Sequence, residues 1–366
     1  MIKNLIKIIN FILLEKEKKK YVFYSEKENY YFYFKYLIDD FLRRDQKVYY
    51  ITSDKKDIDL EQKNLNVIFI GSGIFRSIFF IILECKNLII TLTDLENHQI
   101  KRSKYCDKYI YMFHAFQSTH KIYTEKAFDH YDIIFCNGDY QLNEIRIREK
   151  QKNLKKKTLV KTGYLYFDYL TKNLDPFALK NNKTVLFAPT WTKKNILIKF
   201  HAENIIKNLL LNNFTVIFRP HPEHFKRERE KIQHIKKTFS QNKNFIFSDE
   251  VSNIKSIEIS GSIITDYSGT LSEFLFSTYR AVFFVNCEDK INNLNYKKIG
   301  STTLEDDIIN QFAIKFDPKN IGYVIDNYTN ILEHFKSKRN DLKNFKKNNF
   351  YNLNCVRNSM ISFFNL

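Results

Sequence analysis

The chain has 366 residues, of which 44% are hydrophobic and 16% aromatic. This composition excludes a disordered chain, and the length suits two folded domains better than one. The formal net charge is +18, but the basic residues are spread along the chain and form no recognisable nucleic-acid module. We therefore expect no nucleic-acid partner, whereas nucleotides or an acidic membrane face are favoured by the charge.

Several other classes of protein are disfavoured by missing motifs. The five cysteines form no CxxC pair and indicate buried thiols in a reducing cytoplasm. No apolar run reaches the roughly 18 residues of a membrane span, and SIFFIIL at 77–83 predicts a core helix. The prolines that flank His221 argue against a metal site with His224, and we predict no metal and no cofactor.

The N-terminal segment 1–19 predicts an amphipathic helix. Its sequence alternates Ile, Leu and Phe with Lys and Asn and ends in a basic cluster. An apolar face beside lysines is compatible with binding to an anionic membrane surface. Packing on the protein's own core is the alternative, and amphipathicity alone does not choose between them.

Short apolar strands alternate with helices through residues 20–170. This alternation predicts a Rossmann-like domain with a parallel sheet covered on both faces. The predicted strands are 21–25, 47–52, 66–71, 87–93, 109–114, 132–138 and 158–163, and the predicted helices are 29–43, 73–84, 124–130 and 139–149.

A polar linker at 171–182 leads to a second alternation over 183–340, and a helical segment follows at 341–366. The fold class is therefore α/β, with two Rossmann-like domains facing a cleft and an N-terminal amphipathic helix. The predicted strands are 184–189, 214–219, 244–249, 262–267, 281–286 and 313–316, and the predicted helices are 202–211, 224–237, 251–258, 270–277, 319–335 and 338–348.

The stretch FRPHPEHFKRE follows the strand at 214–219 and displays Arg219 and His221. Each proline fixes its own φ and pushes the residue before it toward extended backbone. The guanidinium and the imidazole therefore lie at the carboxyl end of a parallel strand, where open α/β sheets bind ligands.

The stretch SIITDYSGTLSEFLF places a capped helix directly after another strand. Asp266 ends the strand, and Ser268, Gly269 and Thr270 open the helix. Backbone donors, hydroxyls and the positive end of the helix dipole suit a phosphate or pyrophosphate. Glu273, one turn further, is placed to accept from a ribose hydroxyl. A capped helix without a ligand is the structural alternative.

Two further loops carry polar side chains. In FAPTWTKK, Thr190, Thr192 and Lys193 are candidates to line a cleft, although an ordinary strand-to-loop turn explains them equally. His114 follows an apolar strand in the N-terminal half. A histidine at a strand tip can serve as a general base near neutral pH. The polar residues after it, Gln117–Thr119, include the further cleft candidates Gln117, Ser118 and Thr119.

Three motifs follow one another along the chain: FAPTW at 187–191, RPHP at 219–222 and TDYSGTLSEF at 265–274. In this order they resemble the CDP-glycerol glycerophosphotransferases of teichoic acid and capsule synthesis. GYLYFD at 163–168 is similar to that family's Gly-Tyr-Pro-x-x-Asp. The resemblance implies a GT-B fold, a cytidine diphosphate donor, no metal requirement and attachment to the cytoplasmic face of the cell membrane.

The resemblance also implies roles for single residues. His221 would contact the donor phosphates with Arg219 in support, and the Ser268–Thr270 turn would hold the pyrophosphate near Asp266. His114 would be the base that deprotonates the acceptor hydroxyl. Here the chain departs from the family, because His-Ala-Phe-Gln stands where His-Gly-Thr-Pro is usual and Ser-Gly replaces Ser-Ser after Asp-Tyr. The acceptor and the transferred group stay open.

The resulting hypothesis is a transferase that moves glycerol phosphate, or a related polyol phosphate, from a CDP-activated donor to a surface polymer or lipid-linked acceptor. It would work in the cytoplasm, peripherally on the inner face of the membrane. A GT-B glycosyltransferase that uses a CMP-, UDP- or GDP-sugar is the first alternative, because fold does not determine chemistry. A non-catalytic nucleotide-binding subunit of a capsule assembly complex is the second.

Overall fold

The computed structural model describes residues 2–27, 30–97, 100–175, 178–179 and 181–366. These residues form two compact units. The first comprises Met1–Tyr169 together with Asn292–Ser301 and Asn349–Leu366, and the second comprises Leu170–Ile291 and Thr302–Asn348. Each unit is built on one sheet.

The first unit contains a seven-stranded sheet in which every pairing is parallel, in the order β3-β2-β1-β4-β5-β6-β7. Parallel sheets are covered on both faces, which explains why these strands are almost continuously apolar or aromatic. The strands are β1 (Tyr21–Ser25), β2 (Val48–Thr52), β3 (Leu65–Phe69), β4 (Cys85–Ile90), β5 (Cys106–Met112), β6 (Ile133–Cys136) and β7 (Thr158–Lys161).

The second unit contains a six-stranded parallel sheet in the order β10-β9-β8-β11-β12-β13. Its central strands β9, β8, β11 and β12 are neighbours, so the loops after their carboxyl ends meet at one edge. The strands are β8 (Thr184–Phe187), β9 (Thr215–Phe218), β10 (Phe245–Phe247), β11 (Ser262–Thr265), β12 (Ala281–Val285) and β13 (Ala313–Phe316).

Helices connect the strands in both units. In chain order the α-helices of the described residues are α1 (Ile2–Leu13), α2 (Tyr31–Arg43), α3 (Ile74–Ile82), α4 (Asp139–Gln151), α5 (Leu165–Asn173), α6 (Ala202–Leu211), α7 (His224–Arg227), α8 (Arg229–Phe239), α9 (Ile254–Glu258), α10 (Gly269–Thr278), α11 (Leu304–Phe312), α12 (Ile321–Asp326), α13 (Tyr328–Ser337), α14 (Arg339–Asn349) and α15 (Val356–Phe363).

The core of the first unit consists of two clusters, one on each face of its sheet. Successive strand side chains point to opposite faces, so Tyr21 and Phe23 of β1 enter one cluster, whereas Val22 and Tyr24 enter the other. Burial of each large apolar side chain stabilises the fold by about 1.5–3 kcal/mol. The pattern that predicted the strands therefore also supplies the core.

All thirteen predicted strands are present close to their predicted bounds, which confirms the two-sheet α/β fold class. Four of the helix predictions need correction. The predicted helix at 224–237 is divided between α7 and α8 at Glu228. The predicted helix at 124–130 is wrong, because the segment forms successive turns that place Phe128 in the core. The predicted helix at 319–335 is divided between α12 and α13 near Asn327, which bounds both helices.

The fourth correction concerns the predicted core helix at 77–83. It forms as α3, with Phe79 and Phe80 buried, but the opposite face of the helix is exposed. Only one face of α3 therefore belongs to the core.

Two predicted segments extend beyond the described residues. The predicted helix at 29–43 is present as α2, while residue 29 itself lies outside the described part. The predicted linker at 171–182 begins inside α5, and its residues 176, 177 and 180 also lie outside that part.

The GYLYFD segment has a structural role in the first unit. Gly163 has φ of +90°, and a side chain there would come within 2.4 Å of the Tyr351 carbonyl oxygen. The Asp168 carboxylate accepts a hydrogen bond from the Val356 backbone N–H at 3.0 Å. Burial raises the pKa of this carboxyl to about 6. Both residues thus hold the C-terminal segment, which begins at residue 349, against its own unit.

Candidate functional site

The carboxyl edge of the second sheet collects the loops that follow β8, β9, β11 and β12. These loops carry most of the candidate residues of the C-terminal half, including Thr190, Arg219, His221 and Asp266. The sheet order therefore places near one another residues that lie far apart in the sequence.

The imidazole of His221 is held by a backbone hydrogen bond that selects one tautomer of its neutral form. Its Nδ1 accepts a hydrogen bond from the Glu223 backbone N–H at 3.1 Å. An imidazole nitrogen that accepts carries no proton, so the neutral ring bears its proton on Nε2. The ring centroid lies 6.5 Å from that of Trp191. His221 is therefore fixed beside an aromatic ring, with the proton of its neutral form on Nε2.

Arg219 uses its guanidinium to join two loops of this edge. Nη1 donates to Ser248 Oγ at 2.8 Å, and Nη2 donates to the Glu250 carbonyl oxygen at 2.8 Å. Both acceptors belong to the loop that follows β10. These contacts make Arg219 a positioning residue that also contributes positive charge to the edge.

Asp266 is buried and organises the loop after β8. Its Oδ1 accepts a hydrogen bond from the Thr190 backbone N–H at 2.7 Å. Burial raises the pKa of the carboxyl to about 7, against the opposing effects of this hydrogen bond and of the Lys290 ammonium. Asp266 therefore supports the strand ends through its hydrogen bond to the loop after β8.

Lys290 is a candidate that the sequence analysis missed. Its Nζ donates to Thr190 Oγ1 at 3.2 Å and lies 5.8 Å from the centroid of the Trp191 ring. Burial lowers the pKa of the ammonium below its usual value, although the nearby Asp266 and Glu305 carboxyl groups partly oppose this effect. The available signal was its position shortly after a fourth strand whose carboxyl end reaches the same edge. A lone lysine among many gave no reason to choose it.

The turn Ser268–Thr270 begins α10 as predicted. Ser268 is the N-cap, and its hydroxyl accepts from the Thr270 backbone N–H at 3.2 Å. The positive end of the helix dipole lies at Gly269. The turn thus combines a capped helix with a partial positive charge, as an anion site requires, although part of its donor capacity serves the cap itself.

The remaining candidates of this half have structural partners. Glu273 is buried and accepts from Asn253 Nδ2 at 3.0 Å. The buried Thr192 hydroxyl donates to Glu288 at 2.5 Å, and Lys193 is exposed. Glu273 and Thr192 therefore hold neighbouring loops, whereas Lys193 lies on the surface.

The first unit contains the other candidate group, around His114. This residue follows β5 and is half-buried, and its ring lies 5.4 Å from that of Tyr30 and 5.9 Å from that of Tyr33, centroid to centroid. The Tyr164 hydroxyl donates to the His114 carbonyl oxygen at 2.9 Å. The backbone and the ring of His114 are thus positioned by tyrosines.

The loop after His114 is buried and clamped by α4. Gln117, Ser118 and Thr119 are all less than one-tenth exposed. Gln141 Nε2 donates to the Gln117 carbonyl oxygen at 2.9 Å, and the Thr119 hydroxyl donates to Glu144 Oε2 at 2.7 Å. This burial makes the three predicted cleft residues part of a loop that holds His114. Buried polar residues on a helix such as α4 leave no pattern in the sequence.

Two features are absent from the described residues. No cluster of at least three His, Cys, Asp or Glu side chains is arranged to hold a metal ion within the described ranges. In the same part of the chain, none of the helices combines the length and hydropathy that crossing a bilayer requires.

Comparison with known proteins identifies a family and related folds. The family model for CDP-Glycerol:Poly(glycerophosphate) glycerophosphotransferase matches residues 5–288. No curated protein sequence is significantly similar to the chain.

Similar solved structures include that of the wall teichoic acid polymerase TagF, with a TM-score of 0.63 and 15% identity over 99% of this chain and 93% of that chain. The UDP-GlcNAc 2-epimerase from Methanocaldococcus jannaschii has a TM-score of 0.58 and 13% identity over 95% of this chain and 100% of that chain. The UDP-GlcNAc 2-epimerase from Neisseria meningitidis has a TM-score of 0.58 and 12% identity over 94% of this chain and 98% of that chain. At these identities the likeness concerns the GT-B-like fold alone.

Proposed function

Because this chain belongs to the CDP-glycerol:poly(glycerophosphate) glycerophosphotransferase family, we propose that it transfers glycerol phosphate, or a related polyol phosphate, from a CDP-activated donor. The acceptor is a hydroxyl of a cell-surface polymer or of a lipid-linked precursor, and the released product is CMP. The observation that carries this proposal is the carboxyl edge of the second sheet, where His221, Lys290 and the N-terminus of α10 supply donors for a diphosphate.

In the proposed reaction, the acceptor hydroxyl loses its proton and its oxygen attacks the β-phosphorus of the donor. A new phosphorus–oxygen bond forms, and the bond between the β-phosphorus and the bridging oxygen breaks. CMP leaves with that electron pair, so negative charge increases on the leaving phosphate. Preorganised cations and N–H donors stabilise this charge with little reorganisation during the reaction.

Each donor contributes differently to this stabilisation. The Nε2–H of His221 offers one directed hydrogen bond, because Nδ1 is occupied by the Glu223 backbone N–H. A bound diphosphate raises the pKa of Lys290 by adding negative charge next to it, which keeps the ammonium protonated. Together with Arg219 and the turn Ser268–Thr270, these groups supply the positive charge, and we propose no resident metal or cofactor.

His114 is the proposed base that takes the acceptor proton. Its imidazole is half-buried between Tyr30 and Tyr33, and its backbone is held by the Tyr164 hydroxyl. An imidazole has an ordinary pKa near neutrality, which suits it to accept a proton and later release it. The buried loop behind it reduces the freedom of the base before the acceptor binds.

The experiment is a donor screen followed by product analysis. We expect CDP-glycerol or CDP-ribitol to raise the unfolding temperature with concentration, since a ligand that binds only the folded state stabilises it. CMP release should then require both the CDP donor and an acceptor. Release of UDP or GDP from a sugar donor would contradict the proposal and indicate a glycosyltransferase. CDP binding without turnover on any acceptor would indicate a non-catalytic subunit.

A lipid-linked or surface-polymer acceptor places the proposed reaction at the cytoplasmic face of the cell membrane. We therefore propose a peripheral association with that face. The basic composition supports it, because the chain has a formal net charge of +18 and inner membrane faces are anionic.

A further inference from the structure

The indole of Trp191, the only tryptophan of the chain, lies close to two cations of the second unit. The guanidinium carbon of Arg227 is 4.8 Å from the ring centroid, and the ammonium nitrogen of Lys290 is 5.8 Å from it. Both distances fall within the range in which an aromatic ring attracts a cation. The His221 ring lies 6.5 Å from the same centroid. Trp191 therefore holds two positive charges next to the proposed donor site.

The two cations belong to loops whose strands lie on opposite sides of β8. Trp191 follows β8, Arg227 lies beyond β9, and Lys290 follows β12. In the sheet, β9 pairs with β8 on one side, whereas β11 and then β12 lie on the other side. The charges are therefore supplied from two sides of the loop that carries the ring, and each can pair with a different phosphate of one ligand.

Arg227 has donor capacity that the protein itself does not use. It is exposed on α7, and its Nε lies 3.4 Å from Glu223 Oε2, a distance at which a hydrogen bond is weak. Neither Nη1 nor Nη2 has a hydrogen-bond acceptor among the residues that the structure describes. A guanidinium fork matches two oxygens of one phosphate. The ring and Glu223 thus hold Arg227 in place while its fork stays available to an anion.

Lys290 differs from Arg227 in its exposure and in its partner. Lys290 is half-buried and donates to the Thr190 hydroxyl, whereas Arg227 is exposed. In the proposed reaction the acceptor oxygen must reach the β-phosphorus, so the β-phosphate lies on the accessible side of the site. The exposed Arg227 therefore suits the β-phosphate, and the half-buried Lys290 suits the α-phosphate.

We propose that Arg227 is a specificity-determining residue that binds the β-phosphate of a nucleoside diphosphate while Lys290 binds the α-phosphate. The assignment of the two phosphates rests on the proposed function, whereas the preference for two linked phosphates does not. CMP, or the single phosphate of a CMP-sugar, leaves the Arg227 fork without an anion. The site therefore favours a CDP-activated donor over the CMP-sugar of a glycosyltransferase.

The test is calorimetric titration of the full chain with CDP, CMP and inorganic pyrophosphate. For Arg227→Met we expect about tenfold weaker binding of CDP and of pyrophosphate, because one charge-assisted contact is lost, and CMP binding within about twofold of the wild type. The fluorescence of Trp191 should change when CDP binds, and no other tryptophan contributes to it. Lys226→Met is the matched control, because it removes the same charge from the same helix and from the same partner, Glu223.

An unchanged ratio of CDP affinity to CMP affinity in Arg227→Met would overturn the proposal. Equal losses for CDP and CMP, or the same loss in Lys226→Met, would also overturn it, since each indicates a general effect of charge. CDP binding that leaves the Trp191 fluorescence unchanged would place the ligand elsewhere and would have the same consequence.

Two further results separate this proposal from the proposed function. Pyrophosphate binding that depends on Arg227, in a chain that releases no CMP from CDP-glycerol, would refute the proposed function and leave the preference for a diphosphate intact. Release of CMP at the wild-type rate by Arg227→Met, with unchanged CDP affinity, would refute the role of Arg227 and leave the proposed function intact.

Discussion

The two candidate histidines lie in different chemical surroundings. His221 is fixed by a backbone N–H, beside Trp191 and on the same sheet edge as Lys290. His114 is surrounded by tyrosine rings, with its loop clamped from behind by α4. The difference suits two tasks: a fixed N–H donor stabilises charge, whereas an imidazole held by aromatic rings accepts a proton.

Removal of the base should have the largest effect. We expect His114→Ala to lower CMP release by about 10²–10⁴-fold, the usual contribution of general base catalysis, while donor affinity stays unchanged. Added imidazole should restore part of the rate. Turnover at the wild-type rate would exclude His114 as the base, and an unchanged circular dichroism spectrum is the control for folding.

Removal of the fixed donor should have the next largest effect. His221→Ala is expected to reduce kcat by about 10²–10³-fold, as loss of one preorganised donor does in other enzymes. Added imidazole should restore activity to His114→Ala but not to His221→Ala, because only His114 is the proposed base. His221→Gln keeps an N–H donor and should recover part of the activity. Equal rates for the alanine and glutamine variants would argue against a hydrogen-bonding role.

A third histidine, His224, makes the stability of the fold depend on pH. It is fully buried, its two ring nitrogens lack hydrogen-bond partners among the described residues, and burial lowers the pKa of its imidazole to about 4. The folded state therefore keeps His224 neutral, while the unfolded chain takes up a proton below about pH 6.5. Its contribution to stability is complete above pH 6.5 and declines as pH falls.

We expect the wild type to lose about 3 kcal/mol of unfolding free energy between pH 7 and pH 4 through His224 alone. The variant His224→Leu should lack this component, so its stability curve should be flatter in that range. Urea denaturation at several pH values measures both. Parallel curves for the two proteins would show that His224 does not titrate as its burial requires.

Lys290 tests whether the second sheet edge binds a diphosphate by charge. Lys290→Met should weaken CDP affinity about tenfold, the usual worth of one charge-assisted hydrogen bond, and should reduce the salt dependence of binding. Lys193→Met is the matched control, because Lys193 is exposed on the same loop as Thr192. A similar loss in both variants would indicate a general effect of net charge rather than a site.

The smallest effect is expected at the cap of α10. Ser268→Ala should lower the free energy of unfolding by about 1 kcal/mol, because the Thr270 N–H loses its acceptor. Ser277→Ala, at the other end of the helix, should cost less. If the turn also binds the donor phosphate, stabilisation by CDP should decrease further in Ser268→Ala. Unchanged ligand stabilisation would limit Ser268 to capping.

Much of the fold followed from local pattern. Strands such as β1 and β12 are short apolar runs, and those runs predicted every strand of both sheets. The prediction of a helix at 124–130 failed because Phe128 packs into the core from a series of turns. A local pattern of apolar residues does not distinguish such turns from one helical turn. Lys290 and Glu144 were missed because a polar residue shows its importance only through what surrounds it.

Local sequence patterns were enough to predict the strands, the proline-rigid display of His221 and the capped turn at Ser268, because each depends on backbone preferences of neighbouring residues. The folded chain was needed to show that Thr190, Asp266 and Lys290 meet at one edge and that one face of α3 is exposed. Those features depend on strand order and on packing between segments far apart in the chain. Such contacts arise from the burial of whole surfaces, which no local pattern records.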